Sequence, residues 1–62
     1  QQTAIHDKQF LRSMIPHHAG AILMCDKASL QDTQIRELCR TIISGQQAEI
    51  DQMKALLSEA NQ

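Results

Sequence analysis

Apolar side chains recur along the first half of the chain with the period of a helix. They stand at positions 10, 11, 14, 15, 21, 22, 25 and 28, with His18 on the same line, which is the spacing expected at about 100° per residue. We predict a helix from Ile5 to Ala28. Pro16 lies inside it and has no backbone N–H, so we expect a kinked but continuous helix. A helix that begins at Pro16 is the alternative.

The second half of the chain carries another apolar stripe with the same period. Its members are Ile35, Leu38, Cys39, Ile42, Ile43, Gln46, Ile50, Met53, Leu56 and Leu57. The break before it, Ser29 to Thr33, contains Asp32, whose carboxylate can accept hydrogen bonds from the first free N–H groups of a helix. Gly45 is unfavourable inside a helix and predicts a close helix contact. We therefore predict one all-α domain over residues 1–62, an antiparallel hairpin whose second helix ends near Leu57.

The stripe on the first helix is wider than one neighbouring helix can cover. It extends from His17 and Met24 on one flank to Ile15 and Ile22 on the other, nearly half of the circumference. We expect a second packing surface to cover the remainder. The stripe predicts a homodimer of hairpins that forms a four-helix bundle, or pairing with another segment of a longer parent protein.

Length and composition narrow the classes of partner. The 62 residues are 42% hydrophobic and 21% charged, with a formal charge of −1 and Phe10 as the single aromatic residue. A chain this short buries only about 60% of its unfolded surface, so its own core is marginal. Acids and bases alternate without a basic stripe, and no apolar run reaches the roughly 20 residues of a membrane span. We expect neither nucleic-acid binding nor membrane insertion, and a mature or trimmed part of a longer exported protein.

Polar and sulfur-bearing side chains fall in one zone of the predicted hairpin. A turn near position 32 places His18 level with Gln46, and Met14 level with Ile50. Imidazole and thioether groups together suit soft or borderline cations, because thioethers favour Cu(I) and Ag(I) and imidazole binds copper and zinc alike. The alternative is structural: methionine often fills core gaps, and a half-buried histidine can simply bond a carbonyl group.

The same residues resemble a known family. The pattern consists of Asp7, Phe10, Met14-Ile-Pro-His17-His18, Ala21 and Met24, followed by Ile42, Gln46, Glu49 and Met53. It resembles domain-of-unknown-function family 305, which is placed among the ferritin-like helical bundles. Members are mostly bacterial and often exported, and some resemble copper- or silver-handling proteins. The resemblance implies Met14, His17, His18, Met24 and Met53 as candidate metal ligands, with Asp7, Gln46 and Glu49 as outer or alternative ligands.

Three functional classes follow from these observations. The favoured one is a non-catalytic module that binds copper or silver, with zinc as another option, in the periplasm or outside the cell. The second is a structural oligomerisation module that binds no metal. A ferritin-like di-iron enzyme is disfavoured, because that chemistry needs several inward carboxylates and a Glu-x-x-His motif, and neither helix carries one. We expect no enzymatic activity.

Cys25 and Cys39 are predicted to lie level with each other near the turn. The resemblance adds interest, since related sequences usually carry alanine at both places. Facing helices rarely come close enough for a disulfide, so the sequence favours two reduced, buried cysteines that pack as small apolar residues. A disulfide, which would imply an oxidising compartment, and a thiolate ligand to the metal are the alternatives.

Overall fold

Two antiparallel helices account for the fold. The computed structural model describes residues 5–60, in which α1 spans Ile5–Lys27 and α2 spans Thr33–Ala60. The described part of the chain is all-helical and forms a rod of 48 × 14 × 12 Å. The predicted helical hairpin is confirmed; the ends of the predicted domain, residues 1–4 and 61–62, lie outside the described residues.

The first helix continues through Pro16, so the alternative in which it begins at that proline is wrong. Proline cannot donate to the carbonyl group four residues earlier, at Arg12. Both residues are exposed, and water can therefore hydrate the carbonyl that loses its partner. The apolar positions on both sides of Pro16 pack against α2, and this packing keeps the two halves of α1 in one helix.

Asp32 starts the second helix as expected. Its Oδ1 accepts hydrogen bonds from the backbone N–H groups of Gln34 at 2.8 Å and Ile35 at 3.1 Å. These are two of the four N–H groups that a helix leaves without intrahelical partners at its start. The cap fixes the beginning of α2 at Thr33, and the helix then continues three residues beyond the predicted end, to Ala60.

The core between the helices is small. Among the described residues, Leu11, Ile50 and Met53 are the buried hydrophobic side chains, at 5 to 8% exposure. Half-buried side chains pack against them: Met14, Ile15, Ile22 and Leu57. Since α1 and α2 run antiparallel, Leu11 near the start of α1 meets residues near the end of α2. One helix pair thus buries only the central line of each apolar stripe.

The outer part of each stripe is left exposed. Phe10 is 60% exposed, Met24 75% and Leu38 57%, although all three belong to apolar positions of the predicted helices. This agrees with the expectation that α1 needs more than one neighbour. The close helix contact predicted at Gly45 is wrong within the hairpin, because a Cβ added there would meet no atom within 4 Å.

A disulfide joins Cys25 of α1 to Cys39 of α2. The preference for reduced cysteines is therefore wrong, while the predicted level placement of the two residues is right. Their Cα atoms lie 5.4 Å apart, inside the roughly 4.4 to 6.8 Å range that the bond requires. The two helices are therefore close at this level, where a small side chain such as cysteine fits. Neither sulfur is free as a thiolate ligand in this form.

Candidate functional site

His18 links the two helices halfway along the hairpin. Its Nε2 lies 2.5 Å from Oε1 of Glu49, and the imidazole side chain is 13% exposed whereas the carboxylate is 60% exposed. The bond therefore joins an inner ring to an outer carboxylate. The sequence register placed His18 level with Gln46; the hydrogen bond goes instead to the residue one turn further along α2.

The second nitrogen of this imidazole has no partner. Nδ1 of His18 is buried and makes no hydrogen bond within the described part of the chain. An ionised carboxylate can only accept a hydrogen bond, so Nε2 must carry the proton in the bond to Glu49. In the neutral ring Nδ1 then keeps its lone pair. A buried acceptor without a donor costs free energy, which makes this nitrogen the chemically unexplained atom of the hairpin.

An open cleft of about 260 Å³ surrounds this histidine. Met14 and His18 contribute from α1, and Glu49 and Met53 contribute from α2. Four of the predicted site residues are thus brought together. Phe10 and Gln52 complete the lining. Gln52 was missed by the sequence reasoning, although it follows Glu49 by three residues and therefore shares its side of α2.

The other predicted site residues do not join the cleft. His17 is exposed, and its ring centroid lies 6.2 Å from that of His18. Met24 is 75% exposed. Asp7 is exposed in the first turn of α1, and Gln46 is half-buried on α2. Adjacent residues on a helix diverge by about 100°, and of the two adjacent histidines only His18 lines the cleft.

Comparison with known proteins places the chain in a family. Residues 1–58 match DUF305, a domain of unknown function. The chain belongs to the DUF305 family. It is also 43% identical over 60 residues to an uncharacterized protein of Acanthamoeba polyphaga mimivirus. The alignment covers 94% of this chain but 40% of that relative, so the chain spans less than half of the viral protein's length. No solved structure matches.

The side chains of this DUF305 hairpin determine which metal ions it could bind. Within residues 5–60, no three His, Cys, Asp or Glu side chains are grouped so that they could hold a metal ion. Zinc and di-iron centres are usually held by nitrogen, thiolate and carboxylate ligands. Met14, His18 and Met53 line one cleft, so two thioether side chains and one imidazole side chain share its surface, and thioether ligands are of the kind that select Cu(I).

The length and hydropathy of the two helices of this DUF305 chain can be compared with those of membrane-spanning helices. Neither described helix combines the length and the apolar character that crossing a bilayer requires.

Proposed function

We propose that this chain is a non-catalytic module that binds a soft monovalent cation, Cu(I) or Ag(I), at the cleft between α1 and α2. The observation that carries the proposal is His18, whose buried Nδ1 has no partner among the described residues and which lines one cleft together with Met14 and Met53. Metal-bound histidines commonly donate their other N–H to a carboxylate, which fixes the tautomer and orients the ring. Glu49 stands in that position relative to His18.

Each residue of the cleft then has a stated role. Nδ1 of His18 supplies the strongest donor, and the Met14 and Met53 thioethers supply selectivity for a soft cation. Glu49 orients the imidazole and does not bind the cation itself. His17 and Met24 are exposed and lie outside the cleft in the single hairpin, so they take no part in this site.

The disulfide bears on where the protein works. Disulfides persist in oxidising compartments and are rare in reducing ones. The Cys25–Cys39 bond therefore supports the proposal of a periplasmic or extracellular location. A bacterial source stays a prediction of the family resemblance, and the relative found by comparison is viral.

Silver titration tests the metal proposal without the complication of a reductant. Ag(I) stays monovalent in air, so the disulfide is kept intact while binding is followed by calorimetry. We expect one strong site per hairpin and a loss of affinity of about tenfold or more in His18→Ala, because this variant removes the only imidazole ligand. His6→Ala is the matched control, since His6 is an exposed histidine outside the cleft. A folded His18→Ala variant with the affinity of the wild type would refute the site.

The second candidate function is a structural oligomerisation module. It is favoured by the exposed apolar side chains that the hairpin leaves uncovered, among them Phe10, Met24 and Leu38. Under this alternative the wild type binds neither Ag(I) nor Cu(I) nor Zn(II), yet still self-associates. We propose assembly of two hairpins into a four-helix bundle under either function, so metal binding and assembly are measured separately.

A further inference from the structure

The Cys25–Cys39 bond lies in the wall of another cleft, near the turn of the hairpin. This cleft has a volume of about 330 Å³, and both cysteines contribute to its lining. Each cysteine is half-buried, so the bond is within reach of small molecules from the solvent. The two clefts share no lining residue, and Cys25 follows His18 by seven residues, about 10 Å along the axis of α1. They are therefore separate sites.

We propose that the reduced form of this pair is a second soft-cation site, in which Cys25 and Cys39 bind one Cu(I) or Ag(I) ion as thiolates. The disulfide keeps this site closed, and reduction opens it. The proposal goes beyond the function assigned to the His18 cleft and does not rest on it, because it uses other ligands, another redox state and another level of the hairpin.

The facing helices hold the two cysteines at a separation that suits such a site. Their Cα atoms are 5.4 Å apart across the contact between α1 and α2. A bond from a thiolate to a zinc-sized cation is about 2.3 Å long, so two sulfurs on one ion lie no more than about 4.6 Å apart. After reduction, rotation about χ1 of either cysteine can part the sulfurs while the backbone stays in place. The helices thus bring both ligands together before the ion binds.

The two sulfur ligands select the class of ion. Thiolates are soft donors that favour Cu(I) and related soft ions, and monovalent ions of this kind are satisfied by two ligands. Zinc is also bound by thiolates, but its structural sites take four ligands, of which this pair supplies two. We therefore expect Ag(I) and Cu(I) to stabilise the reduced hairpin more than Zn(II) does.

The charges around the cleft suit the complex that would form. Two thiolates and one monovalent cation together carry one net negative charge. Arg36 and Arg40 line the cleft together with one carboxylate, that of Asp26. Arg40 is also paired with Glu37, an exposed residue that does not line the cleft. The lining itself carries more positive than negative charge, which favours bound thiolates over neutral thiols.

The site is opened and filled in two steps. A dithiol reductant attacks one sulfur of the disulfide and forms a mixed disulfide; its second thiol then displaces the protein sulfur. The reductant leaves as its cyclic disulfide, and its two electrons and two protons stay with Cys25 and Cys39 as thiols. Binding of one Ag(I) or Cu(I) ion then releases both thiol protons to water and forms two metal–sulfur bonds, with no further change of oxidation state.

Urea denaturation of the reduced protein tests the proposal. His18→Ala is the background, so that the His18 site is removed, and the dithiol is removed under nitrogen before Ag(I) is added in a chloride-free buffer. One equivalent of Ag(I) should raise the urea midpoint by at least about 1 M, because an ion that binds the folded hairpin more tightly than the unfolded chain stabilises it. Circular dichroism follows the helices. The oxidised form of this variant should show a much smaller shift.

Two controls in the same background distinguish a facing pair from free thiols in general. Cys25→Ser keeps one thiol. Cys39→Ser combined with Thr41→Cys keeps two, but Thr41 is exposed and lies about 200° further round α2. Neither control should be stabilised by Ag(I). Equal stabilisation of either control, or no gain for reduced His18→Ala, would overturn the proposal. Both results leave the silver titration of the oxidised wild type as an independent test of the His18 site.

Discussion

A hydrogen bond between the side chains of His18 and Glu49 joins the two helices. A carboxylate that is 60% exposed reaches inward to a ring that is 13% exposed, and thereby decides which ring nitrogen carries the proton. The buried Nδ1 is left as an acceptor without a donor. The pair therefore matters less as a surface ion pair than for the ring orientation and the tautomer that it fixes.

Replacement of the carboxylate tests this role. Glu49→Gln should lower Ag(I) affinity by about 10- to 100-fold, because the amide can present either its oxygen or its NH2 group and no longer fixes the tautomer. Asp51→Asn is the matched control, since Asp51 is an exposed acid of α2 that bonds Gln47 and lies away from the cleft. Calorimetry on the disulfide-bonded proteins measures both. Equal affinities for the two variants would mean that Glu49 does not orient the ligand.

A small core and one disulfide hold the two helices together. Their core contains three buried side chains within the described residues, which is little hydrophobic burial for two helices of 23 and 28 residues. The Cys25–Cys39 bond closes a loop of about 15 residues at the turn end of the hairpin. In the chain-entropy account, a loop of that length removes about 3 kcal/mol of unfolded-state freedom. The cross-link therefore contributes a large share of the stability of so small an element pair.

Removal of the disulfide should lower the unfolding free energy of the hairpin. We expect the Cys25→Ala, Cys39→Ala double variant to lose about 3 kcal/mol of unfolding free energy, measured by urea denaturation followed by circular dichroism. Reduction of the wild type with excess dithiol should cause a loss of similar size, which separates the cross-link from the packing of the two side chains. An unchanged denaturation midpoint in both experiments would show that the helices hold together without it.

The periodicity of the apolar residues was sufficient to predict the two helices, but it did not predict every contact between them. The stripes and Asp32 predicted both helices to within one to three residues, because helix formation and capping are local. The disulfide was predicted only as the less favoured alternative, since facing helices are usually about 8 to 10 Å apart and the local spacing depends on side chains along the whole contact. In the same way, the sequence grouped His17 with His18, while the direction of each ring became clear only once α2 was in place.

At the scale of the whole molecule, the hairpin is a rod of 48 × 14 × 12 Å with one layer of helices. Stable domains generally bury their apolar faces between two layers. A second hairpin packed against the exposed apolar side chains of α1 and α2, as proposed above, would supply the second layer.

A folded state that depends on assembly has a melting temperature that depends on concentration. Mass action favours a dimer as chain concentration rises, so we expect the wild-type Tm in a chelator to increase steadily from micromolar to millimolar chain. Phe10→Glu should melt at a lower temperature that is independent of concentration, because its hairpin unfolds alone. Ile5→Glu should keep the wild-type dependence, since Ile5 is 73% exposed but does not line the cleft that Phe10 lines. Differential scanning calorimetry measures all three proteins, and a wild-type Tm that stays constant across this range would show that the hairpin is stabilised by its own disulfide and core without a second copy.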